Sequence, residues 1–139
     1  MWTKSYSVVT KEATKEQMWN LFADVNNWNK WDMGIEYVRI TGEFEKGNYF
    51  ELKPKGGPKL TIKLLEVKEG EMFIDLTKFP FAKMYDEHKF EETENGLKIT
   101  ATIMVKGLLG LLWRKLVAQN IVNGLPDETT EQIKYAGKL

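Results

Sequence analysis

The sequence predicts an α+β fold with one sheet, two short helices after its first strand, and a long helix at the end of the chain. Three observations support this prediction. Residues 14–32 place apolar side chains at helical spacing, residues 35–106 follow a period of two between glycine and proline turns, and residues 108–136 return to helical spacing. Such a sheet and helix can enclose an apolar pocket, so ligand binding is the leading functional hypothesis.

The composition limits the classes of function. The 139 residues are expected to fold as one domain, residues 1–139. Lys plus Arg and Asp plus Glu number 20 each, so no basic excess favours nucleic acid as a partner. Cysteine is absent, which excludes disulfides and is compatible with the cytoplasm, where we expect the protein. Residues 3–10 lack the apolar core of a signal peptide, and the apolar run Gly107–Trp113 is too short for stable membrane insertion.

The first helical segment has a clear start. Thr14 is a good N-cap, and Gln17 stands at the third helical position, which together predict a capping box. The asparagine pair at 26–27 is expected to end the helix, because asparagine side chains compete for local backbone groups. Trp28 and Trp31, three apart, then lie on one side of a following helical turn. The apolar face of the first helix is Met18, Leu21, Phe22 and Val25.

The predicted strands follow the alternation of apolar and polar residues and end at glycine or proline. The first is Trp2–Thr10, before the helices. The other six are Ile35–Thr41, Tyr49–Lys53, Lys59–Val67, Met72–Lys78, Lys83–Glu92 and Leu97–Lys106.

The strongest local signal is Asn95-Gly96, the preferred pair of a type I′ hairpin turn. If these two residues form the turn, the opposed pairs are Phe90 with Ala101, His88 with Ile103 and Asp86 with Val105. One face of the hairpin is then largely apolar and the other carries charged residues and threonines. This pattern puts His88 and Asp86 on the inward face.

The C-terminal segment from Leu108 predicts a long helix with one apolar stripe. Pro126 lacks an N–H and clashes with the carbonyl of Val122, so we expect a kink or a break near Gly124–Pro126. The stripe consists of Leu109, Leu112, Trp113, Leu116, Val117, Ile121 and Leu125.

His88 and Asp86 are the candidate catalytic or anchoring groups. An inward ionisable pair costs desolvation unless it is hydrogen-bonded or lines a wet cavity. One interpretation makes His88 the polar anchor or acid/base group of a mostly apolar pocket. The other makes it a buried histidine with local partners, with Asp86 in water at the open end of the sheet. Side chains two apart on a strand lie about 6–7 Å apart at the backbone, so direct contact is allowed but not forced.

Other chemistries are excluded by residue type. A single histidine with no cysteine rules out the common zinc sites, and no metal site or cofactor is expected. Ser5 and Ser7 are the only serines, and neither lies in a nucleophile elbow. The segment Gly107–Gly110 lacks the lysine and the glycine count of a phosphate loop.

Several motifs, taken in order, resemble one family over nearly all of the chain. They are Met18–Val25, Asn27–Asp32, Gly42–Phe44 with Gly47, Leu52–Lys59, Glu87–Phe90 before Glu94–Gly96, and Gly124–Pro126. With this spacing the chain resembles the START-like (SRPBCC) superfamily, which contains the birch-pollen-allergen proteins. Within it, the chain is similar to small bacterial proteins classed as polyketide cyclase/dehydrase and lipid-transport-like.

The resemblance implies the helix-grip fold, in which a curved antiparallel sheet of seven strands wraps round a long C-terminal helix and leaves a cavity between them. It also implies binding or transport of a small hydrophobic ligand such as a lipid or polyketide. Some members of the superfamily are cyclases or dehydratases, and no universal catalytic residue carries over to this chain.

The site hypothesis combines this fold with the residue pattern. The ligand would lie between the inward sheet face and the helix, with His88 as the oriented polar contact and Asp86 nearer the opening. The predicted wall consists of Phe50, Ile62, Leu64, Leu76, Met84, His88, Phe90, Ala101, Ile103, Trp113, Leu116 and Asn120.

Two other classes of function stay open, so whether the protein is an enzyme is left undecided. A polyketide cyclase/dehydratase-type enzyme would use His88 as general acid/base in a cavity that excludes water. A protein-interaction module of the chaperone-activator type would expose a contiguous apolar patch instead of an internal cavity.

Overall fold

Seven antiparallel strands form one curved sheet in the computed structural model, which describes all residues from Met1 to Leu139. The order across the sheet is β1-β7-β6-β5-β4-β3-β2, so β1 returns to pair with the last strand. The predicted strands are confirmed, and no end differs by more than one residue. Their bounds are β1 Trp2–Thr10, β2 Ile35–Ile40, β3 Tyr49–Pro54, β4 Leu60–Lys68, β5 Met72–Phe79, β6 Ala82–Thr93 and β7 Gly96–Lys106.

Two short helices connect β1 to β2, namely α1 (Lys15–Ala23) and a 3₁₀ helix (Val25–Lys30). The predicted capping box is present at the start of α1. Thr14 Oγ1 accepts from the Gln17 backbone N–H at 3.1 Å, and Gln17 Oε1 accepts from the Thr14 N–H at 2.9 Å. The two helices are also tied together, because Trp28 Nε1 donates to the Phe22 carbonyl at 2.8 Å.

The C-terminal helix consists of α2 (Gly110–Trp113), a π-helical turn (Arg114–Ala118) and α3 (Gln119–Ala136). The sequence predicted a kink or a break near Gly124–Pro126; the helix continues through Pro126, so a break there is wrong. Proline removes only one backbone donor, while Leu125, Thr129 and Ile133 are buried on the same stripe and hold both flanking turns in place. The departure from regular α geometry comes earlier, at the π turn, a feature that often marks functional sites.

The β6–β7 hairpin forms with a different register from the predicted one. The turn residues are Glu94 and Asn95, and the observed pairs are Phe90 with Ile99, His88 with Ala101 and Asp86 with Ile103. A type I′ turn needs positive φ at both central residues, and Asn95 does not adopt it. Gly96 instead has φ +132 and approaches Thr10 so closely that a Cβ would lie 2.6 Å from its carbonyl oxygen. The register moves by two residues, so the inward side chains remain inward.

Aromatic rings from α1 and the 3₁₀ helix fill one half of the space over the sheet. Trp19 of α1 meets Phe44, Phe73 and Phe90 edge-on, with ring centroids 5.7, 6.3 and 6.4 Å apart. Edge-to-face contacts of this kind suit the quadrupoles of aromatic rings. Helix α3 packs closely against α1 and β1. The strands farther from β1 therefore keep a space between their inward face and the C-terminal helix.

Candidate functional site

This space is a cavity of about 790 Å³. Its floor is the inward face of strands β3 to β6, and the 3₁₀ helix closes one side with Trp28 and the following Trp31. The C-terminal helix covers it with Leu116 and Val117 from the π turn and Ile121 and Leu125 from α3. About half of the lining residues are hydrophobic. The cavity thus combines apolar walls with a substantial set of polar groups.

Part of the predicted wall lines this cavity. These residues are Ile62, Met84, His88, Leu116 and Asn120, and Asp86 lines it as well. A second set is buried in solid packing beside the cavity instead: Phe50, Leu64, Phe90, Ala101 and Ile103. The rings of the short helices cover Phe50, Leu64 and Phe90, and the Phe50 ring, for example, lies 5.1 Å from that of Trp28. Ile103 packs instead in a separate cluster with Ala118 of the C-terminal helix. Local periodicity carries no information on this packing.

Two further predicted wall residues point elsewhere. Leu76 pairs with Lys63 and Tyr85 on the outer face of the sheet, because the inward residues of β5 have odd numbers. Trp113 stacks on Phe79 with ring centroids 4.6 Å apart, and its Nε1 donates to the Pro80 carbonyl at 2.9 Å. Trp113 therefore fastens the start of the helix to the β5–β6 turn and does not line the cavity.

The floor of the cavity holds two aspartates and the single histidine. Asp75 and Asp86 are direct partners across β5 and β6, and His88 is two residues from Asp86 on the same face. His88 Nε2 lies 3.1 Å from Asp86 Oδ1. This oxygen is buried and accepts no well-directed hydrogen bond, so the contact is an electrostatic one. His88 also packs against the rings of Phe22 and Phe73, with centroid distances of 4.7 and 4.8 Å, and those two rings are 5.3 Å from each other.

The pKa values of these floor groups are displaced by burial and by one another. Burial alone would lower the pKa of His88, but the charges of Asp86, Asp75 and Glu128 outweigh it and hold that pKa above its ordinary value. Burial raises the pKa of Asp75 well above its usual range, and repulsion from Asp86 adds to the rise. The floor therefore combines a histidine that favours its charged form with an aspartate that favours its neutral form.

Two more carboxyl groups face the floor from the other side of the cavity. Glu128 lies on α3 and Asp32 follows the 3₁₀ helix. Burial raises the pKa of Glu128 to about 8, and the neighbouring Asp32 carboxylate contributes to this rise. Gln132, one turn further along α3, donates from Nε2 to Glu128 Oε1 at 3.5 Å, a weak hydrogen bond. Lys55 is the only lysine or arginine among the lining residues.

The site hypothesis drawn from the sequence did not include Asp75, Glu128 or Asp32, although the sequence contains a signal for two of them. Asp75 is a lone carboxylate within the apolar run Phe73–Leu76, which is unusual for a buried strand. Glu128 lies three residues after Leu125 and so falls on the buried stripe of the helix. Asp32 lies in an irregular segment whose direction the pattern does not define.

An exposed apolar patch is present where the C-terminal helix begins. Phe81 is 73% exposed, Leu108 87% and Leu111 58%. The Leu109 N–H donates to the Phe81 carbonyl at 2.9 Å, which joins the β5–β6 turn to this segment. Leu116 belongs to both features, because it is exposed and also lines the cavity. The internal cavity and the exposed patch, expected as alternatives, therefore coexist. None of the helices is long and apolar enough to span a membrane.

Residues 1–134 match the model of the family described as polyketide cyclase/dehydrase and lipid transport. The chain therefore belongs to this family. Its fold is that of the START-like superfamily, as the resemblance implied. No sequence among the curated proteins matches the chain.

Solved structures share the fold over nearly the whole chain. Ara h 8.0201 superposes with a TM-score of 0.75 at 13% identity, covering 99% of this chain and 100% of that one. The hypothetical protein jhp0584 from Helicobacter pylori gives a TM-score of 0.76 at 13% identity, covering 97% and 88%. The di-domain ARO/CYC StfQ from the steffimycin biosynthetic pathway gives 0.72 at 11% identity, covering 98% of this chain and 49% of that one. At such identities the likeness shows the fold alone.

Proposed function

We propose that the protein binds a small, mainly hydrophobic molecule in the cavity between the sheet and the C-terminal helix. The observation that carries this proposal is the cavity itself, about 790 Å³ in volume and roughly half hydrophobic in its lining. Cavities of this size and character are typical of small-molecule sites. The family supports the same interpretation, because its description joins polyketide chemistry with lipid transport.

The test is a binding assay with the neutral dye N-phenyl-naphthylamine, followed by displacement with fatty acids, aromatic polyketides, sterols and flavonoids. We expect saturable binding of the dye and its displacement by at least one of these classes. Asn120 and Asn123 provide a matched pair of variants, because both are exposed on the same helix and only Asn120 lines the cavity.

Asn120→Trp places a large ring at the cavity wall and should weaken dye binding roughly tenfold, equivalent to about 1.4 kcal/mol. Asn123→Trp should bind the dye like the unmodified protein. Equal behaviour of the two variants, or no dye binding by the unmodified protein, would contradict the proposal.

One observation favours a second candidate function, acid/base catalysis on a carbonyl compound. His88 Nε2 and Asp86 Oδ1 lie 3.1 Å apart in the cavity, and Asp75 faces Asp86 from the next strand. Imidazole and carboxyl groups with displaced pKa values are the usual carriers of protons in catalysis. Removal of a proton from the carbon beside a carbonyl is a step that cyclisation and dehydration of β-keto chains share.

This second function can be tested without its natural substrate. Decan-2-one, dissolved in D₂O, exchanges the hydrogens beside its carbonyl for deuterium when a base removes a proton and the solvent returns a deuteron. We expect the protein to accelerate this exchange and His88→Gln to return it to the rate in buffer while dye binding is retained. A rate equal to that of buffer for the unmodified protein would exclude the acid/base role for this class of carbonyl.

A further inference from the structure

The ionisable groups around the cavity are predominantly acidic, although acidic and basic residues are equal in number in the chain as a whole. Four carboxyl groups line it, against one imidazole and the single ammonium group of Lys55. They come from three parts of the lining: strands β5 and β6, helix α3 and the segment after the 3₁₀ helix. The carboxyl groups belong to Asp32, Asp75, Asp86 and Glu128. An apolar ligand alone gives such a set nothing to interact with.

Two of these carboxyl groups accept no well-directed hydrogen bond from the protein, although His88 Nε2 lies 3.1 Å from Asp86 Oδ1. Asp75 is only 6% exposed; the aspartates whose side chains accept hydrogen bonds are Asp24 and Asp32, and Asp75 is not among them. Asp86 Oδ1 is buried without a hydrogen-bond partner. A buried acceptor without a well-directed donor, as Asp86 Oδ1 is, is rare and costs free energy. Because both groups lie side by side at the cavity floor, one ligand group with several donors could serve both.

The chemistry of that group follows from the available partners. The histidine and carboxyl side chains do not form a group of three or more that could hold a metal ion. A protonated amine has several N–H donors on one positively charged centre, and so matches two adjacent carboxyl groups. An amine at the end of a hydrocarbon skeleton would also use the apolar wall formed by Leu116, Val117 and Ile121.

We infer that the cavity selects amphiphilic amines, holding the ammonium group between Asp75 and Asp86 and the hydrocarbon part against the C-terminal helix. This inference rests on the proposed binding function and names the class of ligand for that same site. It concerns recognition only and applies whether or not the bound amine is then transformed.

Proton release gives the inference a distinctive signature. Burial and mutual repulsion favour the neutral form of Asp75 in the empty cavity. An ammonium group beside it favours the charged form, so binding should expel a proton and should tighten as the pH rises towards the raised pKa of Asp75 in the empty cavity. The other titratable groups facing this point are Asp86 and His88 on β6, Glu128 on α3, and Asp32 and Lys55 at the sides.

The experiment compares three ligands of equal chain length, namely decylamine, decanol and decanoate, below their micellar concentrations. Each is titrated against the dye-loaded protein at pH 7. We expect decylamine to bind roughly tenfold or more tightly than decanol, and decanoate to bind weakest, because the floor carboxyl groups attract an ammonium group and repel a carboxylate. Each tenfold step is a modest change in binding free energy. Calorimetry of decylamine in two buffers that differ in ionisation enthalpy measures the proton release.

Variants test whether the preference for decylamine depends on the two aspartates. The double variant Asp75→Asn/Asp86→Asn keeps the shapes of both side chains and should remove the advantage of decylamine over decanol. Asp127→Asn, which changes an exposed carboxylate beside Glu128, should retain it. If the double variant does not fold, the comparison of ligands and the proton release in the unmodified protein still test whether the cavity prefers amines.

The outcomes separate this inference from the proposed function. Decanol binding as tightly as decylamine, absence of proton release, or an amine preference that survives in a folded double variant would overturn the inference and leave hydrophobic ligand binding intact. No binding of the dye or of any of the three ligands would overturn both.

Discussion

Asp75 and Asp86 face each other directly on adjacent antiparallel strands, and both line the cavity. Like charges in directly opposed positions destabilise a strand pair, and burial increases the cost. The neutral form of Asp75 and the nearby His88 reduce this cost. The pair therefore lowers the stability of the empty protein while it equips the cavity floor with acceptors and proton carriers.

Asp75→Asn should stabilise the protein at pH 8 by about 1 kcal/mol, the usual scale of a single substitution. The folded-state pKa of Asp75 is raised, so the stability linked to its neutral form is complete below the unfolded pKa of about 3.9 and is lost as the pH rises towards the folded pKa. The gain from asparagine should therefore be small near pH 4 and larger at pH 8. Urea unfolding at both pH values measures it.

A variant less stable than the unmodified protein at pH 8 would contradict this account of Asp75. It would indicate that donors hold the carboxylate in its charged form.

His88 should titrate with a pKa above 6.5, the ordinary value for histidine, because the surrounding carboxylates outweigh its burial. As the only histidine in the chain, it gives an unambiguous NMR titration. Its contribution to stability is present below the unfolded pKa and is lost as the pH rises through the folded pKa. Asp86→Asn removes the nearest negative charge and should lower the pKa of His88. An unchanged value in that variant would argue against the 3.1 Å contact as the cause.

Glu128→Gln should reduce the loss of folding stability that accompanies a rise in pH. The pKa of Glu128 is about 8 in the folded protein, compared with about 4.3 in an unfolded chain. The unmodified protein therefore loses stability as the pH rises through this window, and the glutamine variant avoids that loss. At pH 9 we expect its melting temperature to be higher by a few degrees.

Asp127→Asn, a change at an exposed carboxylate, serves as the control and should follow the unmodified profile. Parallel pH profiles for Glu128→Gln and the unmodified protein would show that Glu128 titrates normally.

Two glycine substitutions should change the free energy of unfolding in opposite directions. Gly96 has φ +132 and would place a Cβ 2.6 Å from the Thr10 carbonyl oxygen, so Gly96→Ala should cost about 1–3 kcal/mol. Gly124 lies within α3 with open space around its Cβ, so Gly124→Ala should stabilise by about 0.5–1 kcal/mol. Denaturant unfolding of both variants tests the pair. Destabilisation by both would mean that helix α3 needs its glycine for a reason other than space.

The strands were predictable because turn residues and alternation coincide along most of the chain. The phase of β5 was not, since Met72, Phe73 and Ile74 are apolar on consecutive positions and give no alternation to follow. The hairpin register also failed, because the close approach of Gly96 to Thr10 is a tertiary contact that a local turn rule ignores. The first error therefore has a local cause, the absence of alternation, and the second arises where distant segments meet.

The candidate site was also predictable in part, where the alternation of residues along a strand was clear. The alternation of the β6–β7 hairpin placed Asp86 and His88 inward correctly, since a register error of two residues preserves the face. Phe50 and Phe90 were assigned to the cavity wall, but the rings of Trp28 and Trp19 cover them. How much of an inward face stays open depends on the packing of elements far away in sequence.

The packing of His88 against two phenylalanine rings has a practical consequence. Circulating electrons in the rings of Phe22 and Phe73, centred 4.7 and 4.8 Å from the imidazole, generate local magnetic fields that displace the resonances of its carbon-bound protons. His88 lines the cavity floor, so a molecule that reaches the floor changes the magnetic environment of these protons. The protein thus contains an intrinsic reporter of occupancy at the point where the acidic groups meet, and needs no attached label to reveal when the cavity is filled.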